Sequence, residues 1–241
     1  MRRPARTAGL AALIGLLCAG CFPTPATLEA RQVATLYDGL LVIAALVAAV
    51  VVGLTTIALI RFRRRPGDDE LPAQTRGHTA LEVTWTAIPA LIVLAIFGAT
   101  FAVLAQVDRR DVPPGAEIRV TAFRWGWRFD YPGQGISISG LTPTGPEVVV
   151  PVGQTIRITL AATDVIHSFY VPQFLFKRDA IPGRDTAFEF TVPEAGAYGG
   201  QCAEFCGVYH SQMPFTVRAV SPTDYAAWLQ SEGGAPSPRP S

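Results

Sequence analysis

The sequence predicts a membrane α-helical hairpin of two transmembrane helices joined to an all-β domain outside the membrane. Three observations indicate this architecture: two long uncharged segments, a later region of short β-branched and aromatic runs, and a group of soft metal ligands near the C-terminus. The chain has 241 residues, 49% hydrophobic and 16% charged, which is typical of a membrane protein with one modest soluble domain. A net charge of +1, without clustered basic and aromatic residues in the soluble part, argues against a nucleic-acid partner.

The first residues have the pattern of an export signal. Three arginines near the N-terminus precede a short apolar stretch at 8–17, which is too short to cross a bilayer. Small residues then lead to Cys21, which resembles a bacterial lipoprotein cleavage site with Cys21 as the lipidated residue. An ordinary signal peptide with incidental cysteines is the alternative. We predict a signal peptide of the lipoprotein type over 1–20 and an external segment over 21–37.

The two membrane spans follow. Residues 39–60 and 83–107 contain no charged side chain, and each segment reaches the roughly 20 residues that a helix needs to cross a bilayer. The connection begins with the basic run 61–65, and the positive-inside rule places such a loop in the cytoplasm. The sequence therefore predicts a transmembrane hairpin over 38–107 with a cytoplasmic loop over 61–81, and a C-terminal part on the external side.

The remainder of the chain has the pattern of an all-β domain. Short β-branched and aromatic runs alternate with turns rich in Gly and Pro, as at 117–123, 147–152, 155–161, 185–192 and 214–220. This spacing predicts an antiparallel β-sandwich or barrel. We place the domain at 108–222, which is long enough for one core, and predict a disordered tail over 223–241.

Four soft ligands lie close together in the predicted external domain: Cys202, Cys206, His210 and Met213. Thiolates and a thioether favour copper over magnesium or calcium, and methionine is not a usual zinc ligand. The chemistry indicated is electron transfer rather than hydrolysis. A disulfide between the two cysteines is the structural alternative, since an exported domain meets an oxidising compartment, but it leaves His210 and Met213 unexplained.

A second histidine is needed to complete a copper site. Of the three histidines, His78 lies in the loop between the spans, whereas His167 lies in a strand-like run of the β domain. A mononuclear blue-copper site uses two His, one Cys and a weak axial Met, which leaves one thiolate over. Because two thiolates can bridge two copper ions, the set predicts a binuclear copper site. Its candidate ligands are His167, Cys202, a main-chain carbonyl near Glu204, Cys206, His210 and Met213.

Together, the hairpin, the external β domain and this ligand set resemble subunit II of the haem–copper cytochrome c oxidases. The resemblance covers the chain from about residue 30 to 222 and includes four further motifs, at 81–86, 125–127, 164–169 and 177–184. It implies a cupredoxin-like Greek-key sandwich or barrel that holds the binuclear CuA centre. The implied copper ligands are the same six residues, with Glu204 contributing its main-chain carbonyl.

The family resemblance also implies roles for residues outside the copper site. Trp125 matches the surface tryptophan through which electrons enter from cytochrome c; a core tryptophan is the alternative. The family commonly has an aromatic residue where this chain has Gly126. The Glu204 carboxylate would bind magnesium at the border with the catalytic subunit. Glu82 would feed a proton channel of that subunit; the alternative is that it stabilises the N-terminal end of its helix.

The function implied is electron entry into a terminal oxidase of the bacterial cell membrane. The subunit would take electrons from cytochrome c, or a cytochrome c domain, on the periplasmic side and pass them to haem in subunit I. Subunit I, with haem and CuB, would reduce oxygen to water coupled to proton pumping, and subunit III and membrane lipid are further expected partners. The alternative function is a membrane-tethered copper-delivery protein, which would hold exchangeable copper and lack a stable partner subunit.

Overall fold

The computed structural model describes residues 23–64, 67, 74, 76–109 and 112–233. The predicted signal peptide and Cys21 lie outside these described residues. The chain divides into two compact units. The helical unit comprises Gln32–Val107, and the β unit comprises the residues after it together with the segment that ends at Arg31.

Two helices confirm the predicted spans: α1, Leu28–Arg61, and α2, Thr79–Val107. They contain 34 and 29 residues, and an 18-residue stretch in each has a mean hydropathy of 2.8 and 2.5, respectively, so both are long and apolar enough to cross a membrane. Helix α1 begins well before the uncharged segment, so much of the predicted external segment 21–37 is helical. Charged residues near its start do not stop a helix, which is why the limits of the uncharged segment placed the start of α1 too late.

The β unit is a sandwich of two five-stranded sheets, as predicted. The strands are β1 Ala116–Phe123, β2 Gly126–Tyr131, β3 Ile136–Leu141, β4 Glu147–Pro151, β5 Thr155–Ala162, β6 His167–Val171, β7 Phe176–Ala180, β8 Thr186–Thr191, β9 Gly196–Cys202 and β10 Pro214–Val220. Their orders in the two sheets are β3-β2-β1-β5-β8 and β4-β10-β9-β6-β7.

The prediction of an antiparallel arrangement is wrong for two strand pairs, because β1 pairs with β5 and β10 pairs with β4 in parallel. These pairs join strands that are distant in sequence, and turn signals do not reveal such pairings.

Alternating side chains from both sheets form one core between them. On β1, Ile118, Val120 and Ala122 are buried, as expected for a strand with one face toward the core. Trp127 on β2 is wholly buried and packs edge-to-face against Phe215, with ring centroids 5.1 Å apart. This aromatic packing connects the two sheets at the end of the sandwich where the candidate metal ligands lie.

The predicted disordered tail over 223–241 is wrong for its first part, because Pro222–Gly233 forms helix α3. Ser221 caps this helix by accepting a hydrogen bond from the main-chain N–H of Asp224 at 3.1 Å. Trp228 packs against Tyr131 of the sandwich, with ring centroids 5.0 Å apart. The composition rich in Gly, Pro and Ser that suggested disorder belongs to the residues at the very end of the chain, beyond the described part.

A short segment before and at the start of α1, residues 23–31, packs on the β unit, and we call it the N-terminal strap. Its Ala26 N–H donates to the carbonyl of Gln173 at 2.8 Å. Thr27 is buried and caps α1 by accepting from the N–H of Ala30 at 3.0 Å. The carboxylate of Glu29 accepts from the N–H of Thr191, on edge strand β8, at 2.9 Å. The strap therefore satisfies main-chain groups of edge strand β8 and of the turn between β6 and β7.

Replacing Glu29 with alanine is expected to destabilise the β unit by about 1–2 kcal/mol, because the Thr191 N–H loses its charged acceptor in a partly buried position. Thermal unfolding of the purified full chain, followed by circular dichroism, measures the change. Glu194→Ala is the comparison, since that carboxylate is mostly exposed and its ion pair with Arg31 of the strap, at 3.5 Å, should add little stability. A midpoint of Glu29→Ala equal to that of the parent would show that the Glu29 contact adds no stability.

Candidate metal centre

The candidate ligands meet at one end of the sandwich. Strand β9 ends at Cys202, and the loop that leads to β10 carries Cys206, His210 and Met213. Strand β6 begins at His167 and pairs antiparallel with β9, with Phe169 opposite Cys202. Sheet pairing thus brings His167 beside a loop that lies far from it in the sequence.

The sulfur atoms of the two cysteines form the middle of the cluster. They lie 3.9 Å apart as free thiols, too far for a disulfide bond, so the alternative of a disulfide is wrong. Each sulfur has its own imidazole: His167 Nδ1 lies 3.8 Å from Cys202 Sγ, and His210 Nδ1 lies 3.6 Å from Cys206 Sγ. The arrangement provides two equivalent positions, each beside one thiol and one imidazole.

Two weaker donors lie on either side of this pair. The sulfur of Met213 is 3.9 Å from Cys206 Sγ, and the main-chain oxygen of Glu204 is 3.3 Å from Cys202 Sγ. Both cysteines, Met213 and His167 are buried. All six predicted ligand positions therefore converge in the structure. A dry cluster of thiols, imidazoles and a thioether fits copper by the chemistry of its donors.

The two thiols differ in acidity although they are neighbours. Burial raises the pKa of Cys206 to about 12, and a Cys202 thiolate beside it contributes to the rise. Burial also acts to raise the pKa of Cys202, but hydrogen bonds, of which that of His167 is the largest, lower it to about 6. In the metal-free protein the pair therefore favours one thiolate beside one protonated thiol, and a bound metal ion would displace the remaining proton.

Asp164 orients the first imidazole, a role that the sequence reasoning missed. Its Oδ1 lies 2.9 Å from His167 Nε2, so that Nδ1 faces the cysteine sulfur. Its Oδ2 accepts from the main-chain N–H of Arg124 at 2.7 Å. Burial acts to raise the pKa of Asp164, but these hydrogen bonds, led by that with His167, lower it to about 2. A carboxylate behind a ligating histidine is the usual outer partner at metal sites.

Replacing Asp164 with alanine is expected to lower copper affinity about 10–100-fold, since His167 then loses the group that fixes its ring. Competition against a copper chelator on the purified full chain measures this change. Asp185→Ala is the control, because Asp185 is exposed and pairs with Arg119 on the surface. An affinity equal to that of the control would exclude a role for Asp164 in holding the metal.

Trp125 lies beside the metal loop rather than in the core. It sits in the turn between β1 and β2, half-buried, and its ring packs at 82° to that of Tyr209 with centroids 5.0 Å apart. Two tryptophans one residue apart on a strand would share a face. Because Trp125 is in the turn, it differs from Trp127, which is wholly buried. The Trp127 indole N–H donates to the carbonyl of Met213 at 3.3 Å.

The side chain and the main chain of Glu204 have different partners. The carbonyl lies beside Cys202, whereas the carboxylate accepts a hydrogen bond from Lys177 at 2.9 Å. The Glu204 hydrogen bond raises the pKa of Lys177, whose ammonium also lies 3.3 Å from Asp179. Lys177 was missed as a partner of Glu204, because nothing in the spacing relates residues so far apart. A cation at this carboxylate would compete with the lysine.

Glu82 lies in the first turn of α2, in the helical unit. Its Oε1 accepts from the main-chain N–H of His78 at 3.3 Å, and His78 Nδ1 accepts from the N–H of Leu81 at 3.3 Å. The two side chains thus cap the helix reciprocally, as in a capping box. This geometry supports the alternative predicted for Glu82, stabilisation of the helix N-terminus, without testing a proton role.

Two family models match most of the chain. The transmembrane domain of cytochrome c oxidase subunit II matches residues 15–103, and the periplasmic domain of the same subunit matches residues 137–220. The cytochrome c oxidase subunit 2 of Cereibacter sphaeroides is 34% identical over 88% of this chain and 80% of that protein. The subunit 2 of Alkalihalophilus pseudofirmus is 35% identical over 83% of this chain, but only 59% of that longer relative is covered.

Among solved structures, the periplasmic domain of subunit II of cytochrome oxidase from Bradyrhizobium japonicum is similar. It shares 34% identity, covers 51% of this chain and 96% of its own, and has a TM-score of 0.48.

Proposed function

Since the chain belongs to the cytochrome c oxidase subunit II family, we propose that it is the electron-entry subunit of a bacterial cytochrome c oxidase. The observation that supports this most strongly is the convergence of two free cysteines, each with its own imidazole, in a buried cluster. The β unit would lie on the periplasmic side, where cytochrome c or a cytochrome c domain would donate electrons. Subunit I would receive them and reduce oxygen, in a complex that includes subunit III.

We propose that this cluster would hold two copper ions. The ligands would be His167, Cys202, the Glu204 carbonyl, Cys206, His210 and Met213. Such a bound pair would supply a site that accepts and releases one electron at a time. This chain's own residues would bury the site, exclude water from it and hold its ligands in place.

The hydrogen bonds of the metal loop support a rigid site. The N–H of Cys202 donates to the carbonyl of Met213 at 3.0 Å, and the N–H of Ala203 donates to the carbonyl of Ser168 at 3.1 Å. Trp127 donates to the same Met213 carbonyl from the core. A loop fixed at both ends changes little between redox states, which lowers the cost of electron transfer.

We propose Trp125 as the residue through which the electron enters, because it is half-buried at the surface turn and contacts the loop that follows Cys206. The Glu204 carboxylate, whose main-chain carbonyl lies beside the Cys202 sulfur, would bind magnesium at the border with subunit I once Lys177 moves aside. Cys21 would carry the lipid, and the mass of the mature N-terminus tests this directly.

Copper quantification combined with electron paramagnetic resonance on the purified full chain tests the main proposal. We expect two coppers per chain and a seven-line mixed-valence signal. One copper with a four-line spectrum would contradict the binuclear site. The alternative, a copper-delivery protein, predicts copper that chelators remove readily and no haem-containing subunit that copurifies.

A proton role for Glu82 can be separated from its capping role. Glu82→Gln retains a carbonyl oxygen that accepts from the His78 N–H, but it cannot carry a proton. We expect the assembled oxidase with this variant to show proton-coupled haem reduction slowed at least about tenfold, with unchanged helix content. Time-resolved haem absorbance measures the rate. The control is Thr84→Ala, because the Thr84 hydroxyl donates to the Ala80 carbonyl within the same helix. Equal rates in both variants would show that Glu82 caps the helix and has no proton role.

A further inference from the structure

Two aromatic rings meet at the surface turn that precedes β2. The ring of Tyr209 stands almost perpendicular to the Trp125 indole, at 82°, with centroids 5.0 Å apart. Tyr209 is 46% exposed and directly precedes His210 in the metal loop. Perpendicular aromatic pairs of this kind are favourable beyond the area that they bury. The tyrosine therefore restrains the indole from the side of the metal loop.

Gly207 restrains the same indole from a second side. A Cβ at this position would lie 3.1 Å from Cζ2 and 3.3 Å from Nε1 of Trp125, closer than most real contacts. The backbone of Gly207 has φ +124°, a conformation that also favours glycine. Because Gly207 directly follows Cys206, the indole lies against the residue next to a candidate ligand.

The indole nitrogen of Trp125 shows how closely this packing encloses the ring. Nε1 is buried and has no hydrogen-bond partner in the described structure, although the residue as a whole is only half-buried. Leaving a buried donor unpaired is costly. The contacts with Tyr209 and Gly207 must therefore favour this position of the ring.

No aromatic residue can stand directly after Trp125 in this turn. A Cβ on Gly126 would overlap the carbonyl oxygen of Gly140 and come within 3.1 Å of Leu141. In the described part of the chain, the ring that packs against Trp125 comes instead from the metal loop, through Tyr209. The same loop thus supplies both the candidate ligands and the support of the entry tryptophan.

We propose that Tyr209 is a positioning residue for electron entry, which holds the Trp125 indole against Gly207 beside Cys206. This inference rests on the proposed function of the chain. In the step concerned, one electron leaves the ferrous haem of the donor, which becomes ferric, and the copper centre is reduced by one electron. No proton moves, and neither Tyr209 nor Trp125 is changed chemically.

The expected effect follows from the size of an aromatic pair. Loss of the ring contact would lower the ratio of packed to unpacked indole on the order of threefold to tenfold. The rate of electron entry would fall by up to the same factor. Tyr209→Leu removes the ring while keeping an apolar side chain. Tyr209→Phe keeps the ring and removes only the hydroxyl, so it is the matched control and should behave as the parent.

The first readout does not depend on copper or on turnover. With ¹⁵N-tryptophan in the copper-free full chain, hydrogen exchange of the Trp125 indole N–H should be slow in the parent and in Tyr209→Phe. It should be threefold to tenfold faster in Tyr209→Leu. The Trp127 indole N–H, bonded to the Met213 carbonyl in the core, is the internal reference and should stay protected in all three. Unchanged exchange at Trp125 in Tyr209→Leu would overturn the proposal.

The second readout is the reduction of the assembled oxidase by ferrous cytochrome c in a rapid-mixing experiment, with Trp125→Leu measured in parallel. We expect both leucine variants to slow the entry phase, and the double variant to be no slower than Trp125→Leu alone. If Trp125→Leu slows entry and Tyr209→Leu does not, the role of Tyr209 is rejected while the entry site stands. If neither variant slows entry, the entry route itself is rejected.

Discussion

Replacing Cys206 with serine is expected to leave the full chain without a binuclear copper centre. Cys206 lies within 3.9 Å of the sulfurs of Cys202 and Met213 and within 3.6 Å of the His210 imidazole, so it contacts most of the cluster. A serine hydroxyl is a hard donor that stays protonated and cannot bridge two soft ions. Replacing a residue that supports a metal ligand lowers metal affinity or activity about 10–100-fold. Loss of a ligand that both metal positions share should lower oxidase turnover by more than this.

The measurement is copper content together with the paramagnetic resonance spectrum of the purified full chain. Copper should fall from two per chain to one or none, and the seven-line signal should disappear. Ser211→Ala is the control in the same loop, because Ser211 is exposed and provides none of the candidate ligand atoms. Two coppers and a seven-line signal in Cys206→Ser would show that the second thiolate is not a bridge.

Replacing Trp127 with alanine is expected to destabilise the β unit by about 3–5 kcal/mol. Its indole is wholly buried and contacts the rings of Phe169 and Phe215, and its N–H donates to the Met213 carbonyl. Alanine would leave a large cavity between the sheets and remove one of the two hydrogen bonds that the Met213 carbonyl accepts, leaving the one from the Cys202 N–H. Because whole domains are stable by only about 5–15 kcal/mol, a large part of the stability would be lost.

Urea unfolding of the full chain, followed by the β-sheet signal in circular dichroism, gives the free energy of unfolding. Trp127→Phe separates the two contributions, since it keeps most of the packing and removes the hydrogen bond to the Met213 carbonyl. We expect this variant to lose about 1–2 kcal/mol. A midpoint for Trp127→Ala close to that of Trp127→Phe would mean that the packing of the indole contributes little.

The parts of this molecule that the sequence predicted are those encoded over short distances. The uncharged segments predicted both spans, and alternating runs predicted the sandwich, because hydrophobic periodicity reflects which face is buried. Four of the candidate ligands, Cys202, Cys206, His210 and Met213, follow one another at intervals of three or four residues, so the sequence alone places them close together. His167 was found because the chain has so few histidines that little choice remained.

The parts that were missed depend on contacts between distant residues. Asp164 is close to His167 in sequence, but its second hydrogen bond comes from the main-chain N–H of Arg124. That bond forms only because the end of β1 lies beside the loop that carries Asp164. The ring contact of Tyr209 with Trp125 and the ion pair of Lys177 with Glu204 have the same origin. The parallel strand pairs were missed because no turn connects their members, and α3 because its apolar residues are few and lie close to a tail rich in proline.

The N-terminal strap places a constraint on how the chain is threaded through the membrane. Its Glu29 carboxylate bonds the main chain of Thr191 in β8, so the start of α1 and the β unit must be on the same side of the bilayer. Two crossings between them satisfy this requirement, whereas one or three would not. This hydrogen bond thus requires an even number of membrane crossings between the strap and the β unit, independently of the positive charges in the connecting loop. It also means that the main-chain N–H of Thr191 in edge strand β8 gains its acceptor only after export has placed both segments in the same compartment.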